Sequence, residues 1–181
     1  MKIKNFNYSL VPLYTIGDGN CLIHAVLGSC NYKYQNSNKI EKKKIAWQLR
    51  KDMAELLNVK INGKNFYQKL SRGQLEDISK DIPEVKKEYM QAHLLSKAWL
   101  TSVYLELLSI IFNINIVLVS AKEEDFYRLG DKNLLFQDRH TILINYIHQS
   151  HYESIAIEIN NELKTLFHRK SEIVKSLRKI L

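Results

Sequence analysis

The chain has 181 residues, a formal net charge of +8 from 27 basic and 19 acidic side chains, and 45% hydrophobic residues. This length allows one domain with its own core, and an ordinary apolar content with only two prolines argues against a long linker or disordered tail. The basic balance leaves nucleic acid or an anionic membrane open as partners, with a solvated surface as the simpler interpretation.

The two cysteines, Cys21 and Cys30, are nine positions apart. If one helix joins them, they lie about 13 Å apart, whereas a disulfide needs Cα atoms within about 7 Å. We therefore expect two free thiols and a reducing, cytosolic compartment. No cysteine and histidine spacing fits a zinc site, so no metal or cofactor is expected. No signal peptide or membrane span is predicted.

The N-terminal part is organised around a glycine-rich turn. Residues 6–16 predict an edge strand or extended lead-in, with Pro12 inside it. The turn Gly17–Asn20 then opens an apolar run that predicts a helix over 20–29. Cys21 would lie at the helix N-terminus, where the dipole stabilises a thiolate and lowers the thiol pKa. The alternative is that Cys21 is a small buried hydrophobic residue.

Helices dominate the middle of the chain. Apolar spacing predicts a second helix over 37–57. Turn signals break up residues 58–87, with short helices at 64–70 and 74–79. A third helix is predicted over 83–112, buried and central from Trp99 onward because it is apolar almost all round.

Strands follow. The β-branched run 114–119 predicts a central strand, residues 126–136 predict a hairpin, and further strands are expected at 141–147 and 154–159. Residues 161–181 then carry six basic and two acidic side chains with apolar residues at helical spacing. We expect a domain over 1–160 and a basic amphipathic helix over 161–181 packed on it. A helix that binds a membrane surface or a partner is the alternative.

A nucleophilic thiol needs an imidazole to take and return its proton. His148 and His151 lie in or beside the loop before the last predicted strand. Side chains two residues apart in an extended segment point to the same side, so Glu153 could hydrogen-bond the far nitrogen of His151. His148 has Ser150 at that position, and His151 is therefore the preferred base.

Three sequence boxes resemble one known family. Asp18–Leu22 (DGNCL), followed by Ala25, resembles the cysteine box of the ovarian tumour (OTU) deubiquitinases. His151–Ile155 (HYESI) is similar to the histidine box of that family. Between them, Trp99, Glu106-Leu107 and Ile116-Val117 resemble its tryptophan, Glu-Leu helix and following strand. Ile23-His24 departs from the family pattern, which often has an aromatic residue and an arginine there.

The resemblance implies an α+β papain-like fold, in which a small twisted sheet has helices on both sides. It implies hydrolysis of the isopeptide bond after the C-terminal glycine of ubiquitin. By position, Cys21 would be the nucleophile, His151 the general base and acid, and Glu153 the residue that orients it. Asp18 would hold the loop, and the oxyanion hole would be formed by the backbone N–H groups of Asp18, Gly19, Asn20 and Cys21.

The resemblance also sets the expected partners. Ubiquitin or polyubiquitin chains would be the substrate, the protein would be a monomer, and no nucleic-acid partner is expected. Two alternatives stay open: a cysteine protease for another ubiquitin-like modifier or an unrelated peptide, and an inactive OTU fold that serves as a basic binding module. A protease without a signal peptide could also be a pathogen effector that acts in a host cytosol.

Overall fold

The structure is a computed structural model that describes residues 3, 5–61, 63–65, 86–120, 125–128, 139–147 and 151–181. Six helices lie in these ranges. They are α1 (Cys21–Cys30), α2 (Tyr32–Gln35), α3 (Lys39–Leu56), α4 (Lys87–Leu95), α5 (Leu105–Phe112) and α6 (Glu172–Ile180), with a 3-10 turn at Ser102–Tyr104. The predicted first and second helices are confirmed.

A mixed sheet of seven strands forms the centre of the described chain. Its strands are β1 (Leu10–Leu13), β4 (Ile114–Ser120), β5 (Asp125–Arg128), β6 (His140–Ile147), β7 (His151–Ile159), β8 (Glu162–Lys164) and β9 (Leu166–Phe167). The order is β1-β7-β6-β4-β5, with β8 on β7 and β9 on β6. A separate hairpin pairs β2 (Lys60–Ile61) with β3 (Lys64–Asn65).

The predicted central strand is confirmed as β4, which is buried over six of its seven residues. It pairs in parallel with β6 and antiparallel with β5. Such a strand is covered on both faces, which explains its nearly continuous apolar sequence. Ile116 and Leu118 face one hydrophobic cluster, and Val117 and Val119 face the other.

The two clusters place helices on both sides of the sheet, as the predicted α+β fold requires. The first cluster contains buried residues of α1, α3, α4 and α5. The second contains Ile173, Val174 and Leu177 of α6 with the N-terminal residues Ile3, Phe6 and Leu10. The α1 helix lies against the sheet, so its N-terminal residue is held at the edge of a rigid layer.

Two helix predictions are wrong in extent. The predicted helix over 83–112 is interrupted, because α4 ends at Leu95 and α5 begins at Leu105. The Ser96 N–H closes α4 on the carbonyls of Ala92 and His93. Around this point, the buried Arg50 side chain donates to the carbonyls of His93, Leu94 and Ala98. Trp99 therefore lies outside any helix and is 60% exposed.

The predicted tail helix is also shorter than expected. Residues 162–164 form β8 and residues 166–167 form β9, so both segments belong to the sheet, and the proposed boundary at 160 falls inside it. Only Glu172–Ile180 is helical, with Ser171 as its N-cap. Leu163 and Leu166 are exposed because they lie on these short strands and not on the buried face of a packed helix.

Some predictions fall outside the described residues. These are the helix at 74–79, most of the helix at 64–70, the hairpin beyond Arg128, and His148. Lys64 and Asn65, which are described, form β3. Among the described helices, none combines the length and the apolar character needed to cross a bilayer.

Candidate active site

The Cys21 side chain lies at the point where the glycine turn becomes α1. The residues that follow it, Leu22, Ile23, Ala25 and Val26, are fully buried, so the helix is anchored from its first turn. Cys21 itself is buried, and its sulfur receives a backbone hydrogen bond from Tyr152. The sequence predicted this position of the thiol at a helix N-terminus.

The expected lowering of the thiol pKa is wrong for the substrate-free protein. Burial raises the pKa of Cys21, and the nearby Asp18 carboxylate raises it further. Backbone N–H groups of Tyr152, Leu22 and Cys21 act in the opposite direction without overcoming the burial. The helix terminus alone therefore does not produce a thiolate, and an adjacent base is required.

His151, the predicted base, is the first residue of β7 and directly precedes Tyr152. Its Nε2 atom lies 3.2 Å from the Thr15 hydroxyl oxygen. A Cβ atom on Gly17 would lie 3.9 Å from its Cε1 atom, so the ring packs beside the glycine turn. The structure thus brings the imidazole to the loop that carries Cys21.

Glu153 lies on the same face of β7 as His151, as the two-residue spacing predicted, and both are half-buried. The described hydrogen bond of the His151 ring is made to Thr15 and not to Glu153. The role assigned to Glu153 stays a prediction.

Asp18 belongs to a network of hydrogen-bonded side chains that holds the glycine turn. Its Oδ1 atom accepts a hydrogen bond from the Asn20 N–H at 3.1 Å and lies 3.0 Å from His24 Nε2. The other His24 nitrogen lies 2.6 Å from the Tyr34 hydroxyl. Because a carboxylate only accepts, Nε2 carries the His24 proton and Tyr34 donates to Nδ1. Burial lowers the pKa of His24, so the ring is neutral there.

The hydrogen bonds around Asp18 change the expected set of oxyanion donors. The N–H of Asn20 already donates to Asp18. Of the four predicted donors, this leaves Asp18, Gly19 and Cys21 as the candidates in the loop.

Arg50 connects the turn to the α4 side of the molecule. Its side chain is fully buried, although it lies in the apolar stripe of α3 with Ala46, Met53 and Ala54. It donates to the carbonyl oxygens of Gly19, His93, Leu94 and Ala98 and to the side-chain oxygen of Asn20. A guanidinium is suited to this task because its five N–H groups form a rigid fan.

Gly19 shows how tightly the turn is packed. Its φ is +86°, and a Cβ atom there would lie 2.9 Å from the Lys97 carbonyl oxygen and 3.5 Å from Trp99 Cδ1. The exposed Trp99 indole therefore lies beside the turn. A side chain at position 19 would meet both a backbone penalty and a steric one.

Gly19→Ala is expected to displace the turn and abolish measurable turnover. The left-handed φ costs about 1–2 kcal/mol, and the contact with Lys97 adds about 1–3 kcal/mol. Gly63→Ala is the matched control, since Gly63 also has a positive φ (+78°) but no atom within 4 Å of an added Cβ. Denaturant unfolding and turnover should show only the smaller cost for Gly63→Ala. Equal losses in both variants would contradict the steric argument.

A cavity of about 310 Å³ lies on the α3 side of the turn. Its lining residues are Asp18, Asn20, Lys43, Trp47, Arg50 and Lys97. Cys21, Thr15 and His151 do not line it. It is therefore separate from the thiol and imidazole, although it shares the wall formed by the turn.

Sequence reasoning missed four residues that shape this site: Thr15, His24, Tyr34 and Arg50. For Arg50 a signal was present, because a charged residue in the apolar stripe of a helix must find buried acceptors. The departure from the family pattern at His24 was a second signal. Thr15 and Tyr34 carried none, because nothing local distinguishes them from other polar or aromatic residues.

Most of the chain matches a protein-family model. Residues 16–173 match the model described as OTU-like cysteine protease. Comparison with curated proteins gives no match.

Solved structures that align with this chain have low sequence identity to it. An OTU domain in complex with ubiquitin aligns with a TM-score of 0.60 and 17% identity, over 99% of this chain and 87% of that chain. An OTU deubiquitinase from Wolbachia pipientis wMel aligns with a TM-score of 0.49 and 14% identity, over 94% and 95% of the two chains. The viral OTU domain protease from Qalyub virus gives 0.49 and 17%, over 83% and 90%.

Proposed function

The chain belongs to the OTU-like cysteine protease family, and on that premise we propose that it is a deubiquitinase that hydrolyses the isopeptide bond after the C-terminal glycine of ubiquitin. The observation that carries the proposal is the position of the Cys21 thiol. Its sulfur accepts a hydrogen bond from the backbone N–H of Tyr152, the residue next to His151. A nucleophile and a base are thereby held on two rigid elements, α1 and β7.

The reaction follows acyl transfer chemistry. His151 takes the proton of the Cys21 thiol, and the thiolate attacks the carbonyl carbon of the terminal glycine. The oxyanion that forms is stabilised by backbone N–H groups of the turn, each worth about 3–4 kcal/mol at the transition state. His151 then gives its proton to the leaving lysine amine, and the C–N bond breaks to leave a thioester on Cys21.

Water completes the cycle. His151 removes a proton from the water, the resulting hydroxide attacks the thioester carbonyl, and the C–S bond breaks. The products are a free ubiquitin carboxylate and the regenerated thiol. In this proposal Asp18 holds the turn, and Glu153 is the residue that the family resemblance assigns to orient the imidazole.

Ubiquitin as substrate is supported by two observations. A structure with this fold is an OTU domain bound to ubiquitin. In addition, the exposed Trp99 indole lies beside Gly19, and we propose that it narrows the substrate groove there. A substrate that ends in glycine has no side chain to clash there, and this selects against other sequences. A reducing cytosol, including that of a host cell for an effector, suits an enzyme with two free cysteines.

Ubiquitin carrying a C-terminal electrophile tests the function directly. The wild-type protein is expected to form a covalent adduct that survives denaturation, and Cys21→Ala is expected to form none. Cys30→Ala is the control and should keep the adduct, because Cys30 is partly buried and its thiol pKa is raised to about 11 by desolvation. Intact-protein mass spectrometry measures both.

The alternatives correspond to other outcomes of this experiment. An adduct with another ubiquitin-like modifier and none with ubiquitin would replace the proposed substrate. No adduct with any modifier, together with salt-sensitive binding to DNA or anionic lipid, would favour the inactive binding module.

A further inference from the structure

β1 and the residues that follow it place Thr15 beside His151. β1 pairs with β7 in the register Leu10↔Ile157 to Leu13↔Ser154. Two further steps in this register place Thr15 opposite Tyr152. The Thr15 side chain is buried, with 7% of the residue exposed, so its hydroxyl needs partners inside the protein.

The Thr15 hydroxyl has two partners, and their chemistry fixes the direction of each hydrogen bond. The hydroxyl donates to the carbonyl oxygen of Tyr152, because a carbonyl can only accept. A hydroxyl has a single proton, so its oxygen must accept from the second partner, His151 Nε2 at 3.2 Å. The proton of a neutral His151 ring therefore resides on Nε2.

We propose that Thr15 is the positioning residue that sets the tautomer and orientation of His151, a role that family resemblance gives to Glu153. This inference rests on the proposed function. With its proton on Nε2, the neutral ring has an unprotonated Nδ1, which is the atom available to take the Cys21 proton. Tyr152 connects Cys21 with Thr15. Its backbone N–H donates a hydrogen bond to the Cys21 sulfur, and its carbonyl oxygen accepts one from the Thr15 hydroxyl.

The same contact acts after proton transfer. Once His151 is an imidazolium, both ring nitrogens donate, and the Thr15 oxygen remains a correctly placed acceptor for Nε2–H. A charged donor strengthens that hydrogen bond. Thr15 therefore favours the thiolate–imidazolium pair over the neutral pair, although it carries no charge itself.

Three variants separate the two candidates for this role. Thr15→Val keeps the shape of the side chain and removes the acceptor, Thr15→Ser restores the hydroxyl, and Glu153→Ala removes the carboxylate acceptor. In each variant, the pH dependence of Cys21 alkylation by iodoacetamide reports the thiolate–imidazolium pair without any ubiquitin. Thermal melts confirm that each variant is folded.

The tautomer itself is read from the ¹⁵N chemical shifts of His151. These are measured in a Cys21→Ala background, and the signal is identified by its loss in His151→Gln. We expect the Nε2–H form in the parent and in Thr15→Ser, and a mixture with the Nδ1–H form in Thr15→Val. Glu153→Ala is expected to leave the tautomer unchanged.

Turnover gives the matching functional readout. Thr15→Val is expected to lower kcat by about 10- to 100-fold, a part of the 10²–10⁴-fold that general acid–base catalysis supplies. The pH range over which Cys21 is alkylated as the thiolate should be narrower in Thr15→Val than in the wild type. Thr15→Ser should recover most of the loss in kcat. An unchanged tautomer and pH profile in Thr15→Val would overturn the proposal, as would a tautomer change in Glu153→Ala alone.

The proposed function and this inference fail separately. A wild-type protein that does not cleave ubiquitin disproves the proposed substrate, but its alkylation profile and its ¹⁵N shifts still decide whether Thr15 sets the His151 ring.

Discussion

His151→Ala is expected to lower kcat/KM for a ubiquitin isopeptide by about 10⁴-fold or more, the range seen when one member of a nucleophile–base unit is removed. The reason is that burial raises the pKa of the Cys21 thiol. Backbone N–H groups alone do not provide the thiolate, so without the imidazole the nucleophile stays protonated near neutral pH. Steady-state hydrolysis of an isopeptide-linked ubiquitin substrate measures the loss.

His148→Ala is the matched control for this variant, because His148 was the competing candidate for the base. It is expected to keep turnover within a few-fold of the wild type. Circular dichroism and melting temperature should be similar in both variants, since each removes a single histidine. Full activity in His151→Ala with loss in His148→Ala would reverse the assignment of the base.

Arg50→Met is expected to lower the free energy of unfolding by about 3–5 kcal/mol, because each buried acceptor left without a donor costs about 1–3 kcal/mol. Methionine fills similar space but donates nothing, so five acceptors lose the Arg50 donor. Of these, the His93 carbonyl keeps its hydrogen bonds from Ser96. Gly19 and Asn20 are among the five, and turnover should therefore fall together with stability. Denaturant unfolding and steady-state kinetics measure the two effects.

Two further variants make the Arg50 result interpretable. Lys51→Met removes a positive charge from the next, exposed position of α3 and should cost less than about 0.5 kcal/mol. Arg50→Lys keeps the charge but has three donors without the planar geometry, so it should recover only part of the loss. An Arg50→Met protein as stable as the wild type would show that the guanidinium does not hold the turn.

The Arg50 contacts also explain the largest error in the predicted helices. Apolar spacing alone favoured one helix over 83–112, and the segment around Trp99 fits that pattern. Tertiary contacts override it, because the carbonyls of His93, Leu94 and Ala98 bind a side chain from α3. Hydrophobic periodicity records which residues are apolar, but not which backbone groups find partners elsewhere in the chain.

The amphipathic pattern at 161–181 illustrates a related limit. Leucines at 163 and 166 match a helical face as well as a short edge strand, and only pairing with β7 and β6 decides between them. From Ser171 onward the local signals are stronger. The Ser171 side chain accepts from the Val174 N–H, and the helix that follows is confirmed.

The sequence by itself determined the family resemblance, the α+β fold and the central strand β4, because box order, apolar runs and glycine turns are local or linear properties. It also determined the choice of Cys21 and of His151 as candidates. Only the tertiary structure decided which polar groups hold them. Thr15 meets His151 across 136 positions, and Arg50 meets the turn across 30. The physical reason is that a buried donor or acceptor is satisfied by whatever partner the fold brings within about 3 Å.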